Sequence, residues 1–382
     1  MNALFSLLAS AAALTPTSVH GNWIFRPPST SAPAKGIVFF LGGAFVGAAP
    51  QLAYNKFCSS LANEGYVVLA TPYELSFDYV ELCDSILSTA DPAFEQLLRE
   101  YPEDLPLFGI GHSCGALLHV LLSSIYRGAG GALADCERQA NVLISFNNKP
   151  ANEAIPFFGE LVAPAAASVL RFDRDPLLRP WRAAVDETRR RLATVSGAAG
   201  ASVSASAATL AAQLLPVLEQ IEPILREIDG GRVEFAPSPV EVERVASQLY
   251  DCRATLVVRF EGDSLDESPP LPSVLQAGGG DVKLTSLAGT HLTPLSPDAA
   301  TLPLPLPLPF AASAALGGAR ADEFQCASEC VLGFLQEQAQ ARRPMGPPRP
   351  EVNGQSVAPE AQNAAAAAAA PSGAQRVNDI GQ

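Results

Sequence analysis

The sequence predicts an α/β fold: a mostly parallel sheet with helices on both faces and a helical cap inserted between two strands. Three observations point there. The short apolar runs are continuous rather than alternating, which suits strands covered on both sides. Helical patterns separate the early runs. One long block, from Asn147 to Arg253, breaks that alternation.

The strands read in order as Gly36–Leu41 (GIVFFL), Tyr66–Thr71 (YVVLAT) and Leu105–Ile110 (LPLFGI), then Asn141–Phe146 (NVLISF) and Ala254–Phe260 (ATLVVRF). Val282–Leu287 is a last, shorter one. Gln51–Glu64 is helical between the first two. Phe77–Glu100 follows, with Leu82, Ile86 and Leu87 at helical spacing. Gly115–Tyr126 is apolar nearly all round and so predicts a buried helix. Phe324–Leu335 gives a final amphipathic helix.

These elements divide the chain. Residues 22–156 and 251–340 form the two parts of the core, and 157–250 form the cap. The cap holds "WRAAVDETRRRLATV" and "AATLAAQLLPVLEQIEPILREI", the second broken by Pro216 and Pro223. An insertion this long must pack somewhere, and the carboxyl edge of the sheet is the available surface. Residues 341–382 are rich in Pro, Ala and Gly and nearly free of large apolar side chains, so they predict a disordered tail. "TLPLPLPLPF" at Thr301–Phe310 reads as an extended connector. Residues 1–21 form an apolar segment, read as either a targeting sequence or a weakly ordered start.

Bulk properties exclude some roles. The formal net charge is −14, with no basic stripe, which argues against a nucleic-acid partner. No apolar run is long enough for a transmembrane span, which leaves peripheral membrane contact through the cap open. The seven cysteines include no C-x-x-C pair and read as reduced small hydrophobes. No metal or organic cofactor is implied, and the oligomeric state is left open.

The chemistry centres on Gly111-His112-Ser113-Cys114-Gly115. A G-x-S-x-G string alone is a weak signal. Here a strand enters it and an apolar helix leaves it, the arrangement a nucleophile elbow needs. A serine hydroxyl is a poor nucleophile at neutral pH and needs a base, which in turn needs an orienting acid. The loop after Ala254–Phe260 offers Asp263, at the tip of a Gly-containing turn. Asp266 is the alternative acid and Glu261 a weaker third. The loop after Val282–Leu287 offers His291, whereas His20 precedes the core, His112 lies inside the elbow and His119 reads as a packed structural residue. Serine, aspartate, histidine is the chain order of α/β-hydrolases.

Oxyanion donors are expected from the backbone N–H of Cys114 and from Gly43 and Ala44, in the loop after the first strand. The Cys114 thiol itself should point into packing. Asn147, Asn148 and Asn152 read as turn formers ahead of substrate contacts.

"GIGHSCGALLH", "FNNKPANEAIPFF", "VEFAPSPVEVERV" and "GTHLTPL" resemble the domain-of-unknown-function family 1350, a branch of the α/β-hydrolase superfamily found mainly in plants, algae and cyanobacteria. The likeness runs roughly from Trp23 to Leu335, and the Gly/Ala/Ser-rich stretch near Gly197 reads as a local expansion. It implies the α/β-hydrolase fold and, for eukaryotic members, a plastid location, with the cytoplasm and secretory pathway left open. The family has no established substrate. Leu41-Gly42-Gly43 stands where many esterases carry His-Gly, a departure that spares backbone donation.

Two functions follow as expectations. One is a serine hydrolase of esterase, lipase or thioesterase type, acting on a small or lipid-like acyl substrate. The other is a catalytically silent member of the fold, used as a binding or assembly protein.

Overall fold

A computed structural model describes residues 13–28, 33–102, 104–154, 219–295 and 321–341, with isolated positions at 183, 186, 189 and 190. The tail, the Pro-Leu segment and most of the expected cap lie outside these residues.

An eight-stranded sheet runs through the centre in the order β1-β2-β4-β3-β5-β6-β7-β8. Its strands are β1 (Thr17–Val19), β2 (Asn22–Phe25), β3 (Gly36–Leu41), β4 (Tyr66–Ala70), β5 (Leu107–His112), β6 (Arg138–Ile144), β7 (Ala254–Phe260) and β8 (Asp281–Leu287). β2 runs against both neighbours, and from β4 to β8 all pairings are parallel. This is the α/β-hydrolase fold. Every residue of β3, β4 and β5 is buried, which is why these strands are apolar without a break.

The two faces sort by residue parity. Ile37, Phe39 and Leu41 join one core, and Val38 and Phe40 join the other. On the first face lie α3 (Tyr79–Glu100), α4 (Cys114–Ile125) and α8 (Pro239–Leu249). On the second lie α2 (Asn55–Asn63) and α10 (Ala321–Gln340). Shorter helices are α1 (Pro50–Ala53), α5 (Ala132–Asp135), α6 (Ala151–Ala154), α7 (Ile221–Asp229) and α9 (Leu271–Gln276). Asp78 starts α3 by accepting from the N–H groups of Val80 and Glu81, both at 3.0 Å. Ser238 and Glu241 form a capping box on α8, with Pro239 at its first position.

Several boundaries differ from the sequence reading. The strand expected at Leu105–Ile110 sits at Leu107–His112, because Pro106 ends the loop with its carbonyl accepting from Ile37 at 2.9 Å. The helix expected over Gln51–Glu64 breaks at Tyr54 (φ −120°), whose ring turns in beneath the Gly42-Gly43 loop. Residues 239–249, included in the cap by sequence, form α8 and pack on α4 as a cover of the sheet.

The N-terminal hairpin escapes the sequence reading altogether. β1 falls within the segment 1–21, and His20 (φ 48°) and Gly21 (φ 79°) supply the two positive φ values of a type I′ turn. Buried Asn22 pins the hairpin, donating to Thr89 O at 2.8 Å and accepting from Thr71 at 2.7 Å. Upstream, the Leu14 N–H donates to Ser59 Oγ at 2.8 Å, and its carbonyl accepts from Asn55 at 3.2 Å.

Candidate active site

β5 delivers Ser113 to the carboxyl edge of the sheet, and α4 starts at the next residue. Ser113 has φ 55° and ψ −120°, a conformation that costs a residue with a Cβ about 1–3 kcal/mol and persists only where the surroundings enforce it. Its N–H is fixed to Ile144 O at 2.9 Å. The flanking glycines are obligatory. A Cβ on Gly111 would lie 2.3 Å from Gly115 O, and one on Gly115 would lie 2.2 Å from Leu41 O. The turn therefore packs backbone on backbone against the end of β3.

Two further loops meet this turn. Asp263 follows β7 and its carboxylate is fully buried, while His291 follows β8 and is 15% exposed. His291 Nε2 lies 3.0 Å from Ser113 Oγ, and Nδ1 lies 2.8 Å from Asp263 Oδ2. An aspartate oxygen only accepts, so Nδ1 carries the hydrogen and Nε2 faces the serine as a lone pair. Burial by itself would push the Asp263 carboxyl up. The hydrogen bonds from His291 and from the Leu265 N–H outweigh it and hold the group below the usual carboxylate value.

Asp266, the alternative acid, is engaged elsewhere. It accepts from Ser268 Oγ and stands 3.6 Å from Arg259 Nε, so His291 meets Asp263 and not Asp266. Burial, with Asp263's charge adding to it, pushes the Asp266 carboxyl up. Glu261 is exposed on the same turn.

The donors for an oxyanion need one correction. Gly43 N–H is donated to Tyr54 Oη at 2.7 Å, so it is not available to a ligand. The Ala44 N–H, next along, has no acceptor among the described residues. Cys114 is the first residue of α4, so its N–H has no intrahelical acceptor and lies at the positive end of the helix dipole. Among the described residues, the N–H groups of Cys114, next to Ser113, and of Ala44, one residue beyond Gly43, therefore have no such acceptor and stay open. The Cys114 side chain is buried, and burial holds its thiol at about 12, so it stays protonated.

Sequence reasoning passed over Tyr54, Tyr73 and Gln220, and set His112 aside as a residue inside the elbow. Tyr73 donates to Gly42 O at 2.6 Å. Gln220, at the start of α7, donates to Phe45 O at 2.7 Å and accepts from Leu75 N–H at 3.0 Å. His112 bridges Tyr54 and the carbonyl of His291. Tyr54, Tyr73 and Gln220 carried no motif, and His112 stood in the elbow motif with no role assigned to it. The signal was the unusual density of small residues in Gly42-Gly43-Ala44, which demands large partners to fill the space.

Asn147 forms a turn through Lys149 N–H at 3.0 Å, and Asn148 donates to Pro239 O at 3.0 Å. Cys58, Cys83, Cys114 and Cys252 are buried free thiols, whereas Cys326 is exposed. Among the described residues no group of three or more His, Cys, Asp or Glu side chains is arranged to hold a metal, and no helix is long and apolar enough to cross a membrane.

The family described as "Protein of unknown function (DUF1350)" matches residues 16–177 and 194–302, a span that includes the elbow, Asp263 and His291. The chain belongs to the DUF1350 family. A comparison with curated proteins finds no match. Among solved structures, this DUF1350 chain is similar to a thioesterase domain from the curacin biosynthetic pathway, with 15% identity, 79% of this chain and 97% of that one covered, and a TM-score of 0.38. It is also similar to a fungal esterase from Rhizomucor miehei (16%, 84% and 80%, 0.44) and to esterase B from Lactobacillus rhamnosis (12%, 84% and 81%, 0.42). At such identities the site's own atoms decide its chemistry.

Proposed function

We propose that this chain is a serine hydrolase acting on an ester or thioester of a small or lipid-like acyl compound. One observation carries the reading: the unbroken line from Ser113 Oγ through the His291 ring to the buried Asp263 carboxylate, with links of 3.0 and 2.8 Å.

Ser113 Oγ attacks the acyl carbon while His291 Nε2 takes its proton. Asp263 stabilises the imidazolium that forms and holds the ring in the productive tautomer. Negative charge then collects on the carbonyl oxygen, where the N–H groups of Ala44 and Cys114 receive it. Collapse expels the alcohol or thiol, protonated by His291, and leaves an acyl-Ser113 ester. Water, deprotonated by His291, attacks that ester and regenerates the hydroxyl with release of the carboxylic acid.

A fluorophosphonate probe tests the nucleophile. The wild-type chain should be labelled at Ser113 and Ser113→Ala should not. A folded wild-type protein that resists the probe sinks the reading. Acyl esters of graded chain length, run beside Ser113→Ala, then define the substrate. A plastid location, to which the family resemblance points, is tested by a fluorescent fusion.

A further inference from the structure

Tyr54 and His112 are both buried, at 0% and 2% exposure, yet both are polar and face the same junction. Four groups form one line. Gly43 N lies 2.7 Å from Tyr54 Oη, Tyr54 Oη lies 2.8 Å from His112 Nδ1, and His112 Nε2 lies 2.9 Å from the carbonyl oxygen of His291.

The direction of every link is fixed by chemistry. A carbonyl oxygen only accepts, so His112 Nε2 carries the hydrogen. The uncharged ring then presents a bare Nδ1, which must accept from Tyr54 O–H. The tyrosine oxygen is left with lone pairs, one of which receives Gly43 N–H. Burial, with the neighbouring His291 adding to it, holds the His112 imidazole down to about 3, in keeping with a ring that stays neutral.

The line joins two loops that are distant in sequence. One end holds the Gly43 peptide beside Ser113, where a Cβ on Gly43 would touch Ser113 Cβ at 3.3 Å. The next amide along that loop is Ala44. The other end holds the main chain of His291, whose side chain is already held by Asp263. We infer that Tyr54 and His112 are positioning residues, which lock the oxyanion loop and the base loop to each other through this single line of hydrogen bonds. The inference rests on the serine-hydrolase reading and goes beyond it, since a triad and two amides do not require such a link.

The rate of phosphonylation of Ser113 by a fluorophosphonate tests it, with the half-saturating probe concentration measured separately. Tyr54→Phe and His112→Leu should each slow the maximal rate by about 10- to 100-fold, as expected when reacting groups drift by about an ångström. The half-saturating concentration should hold. His112→Gln, whose amide offers one acceptor and one donor in similar places, should recover most of that loss. Unchanged rates in folded Tyr54→Phe and His112→Leu overturn the inference, and so does a glutamine variant as slow as the leucine one. Should Tyr54→Phe fail to fold, the two His112 variants decide. Imidazole nitrogen NMR of the wild type gives a readout independent of activity: Nε2 must carry the hydrogen, and a proton on Nδ1 overturns the proposed line. A wild-type protein inert to the probe, with the NMR pattern intact, refutes the hydrolase reading and the positioning role while leaving the bonds themselves in place.

Discussion

The N–H of Gly262 donates to the carbonyl of Gly289 at 2.9 Å. One residue later comes Asp263, and two residues after Gly289 comes His291. The loops bearing the carboxylate and the imidazole are thus fastened at their base before their side chains meet at 2.8 Å. Asp263→Asn keeps the shape but offers an N–H where the ring nitrogen also donates, which favours the wrong tautomer. It should lower kcat by about 10⁴-fold. Asp266→Asn should leave kcat close to wild type, because Asp266 faces Ser268 and Arg259. Steady-state kinetics on both variants, with any ester that the wild type turns over, check this. A reversed order would reassign the acid.

The strain at Ser113 is measurable without any substrate. Glycine adopts φ 55° freely, whereas alanine carries the same Cβ as serine. Ser113→Gly and Ser113→Ala should both be inactive, but the glycine variant should be the more stable by about 1 kcal/mol. Urea unfolding at equal slope reads the difference. Equal midpoints would mean that the turn holds no strain.

Buried neutral histidines make stability depend on pH. His112 is held at about 3 in the fold, chiefly by burial, against about 6.5 when unfolded. His119 is lowered well below its ordinary value by burial and then by Arg138, whose Nη1 sits 2.6 Å from its Nδ1. Below pH 6.5 the unfolded chain binds protons that the folded chain does not, so stability falls as pH falls. His112 should contribute about 1 kcal/mol per pH unit between roughly 6.5 and 4, and His119 acts in the same direction. Above that window both contributions are fully present. Denaturant titrations at pH 7 and pH 5 check the slope, and His112→Gln should reduce it.

Gln220 is the side chain that ties α7 to the loop carrying Ala44. It is 1% exposed, and its amide serves Phe45 O and Leu75 N–H together. Phe45 itself sits at φ 63°. Gln220→Leu removes both bonds and should cost about 2 kcal/mol of stability. It should also lower kcat, since Phe45 adjoins the open Ala44 amide. Thermal unfolding and kinetics on the same preparation separate the two effects.

Much of this architecture was legible because the parallel strands are buried on both faces, so GIVFFL and YVVLAT could be little else. Ser113, Asp263 and His291 were legible for a different reason, since each follows a strand at the same edge of the sheet. What stayed hidden is side-chain geometry between loops. Nothing in the order of residues reveals that Tyr54 leaves its helix to consume the Gly43 amide, which took one expected oxyanion donor away. The β1–β2 hairpin was lost because a three-residue strand gives no period to read, and His20-Gly21 is a weak turn signal.

Leu14 is fastened through both its N–H and its carbonyl to α2, ahead of the hairpin that closes the sheet's edge. For anyone building a reporter or affinity handle into this chain, Leu14 to Phe25 is a stretch to leave intact. Insertions between Leu14 and Phe25 would detach the outermost strands and unzip that margin.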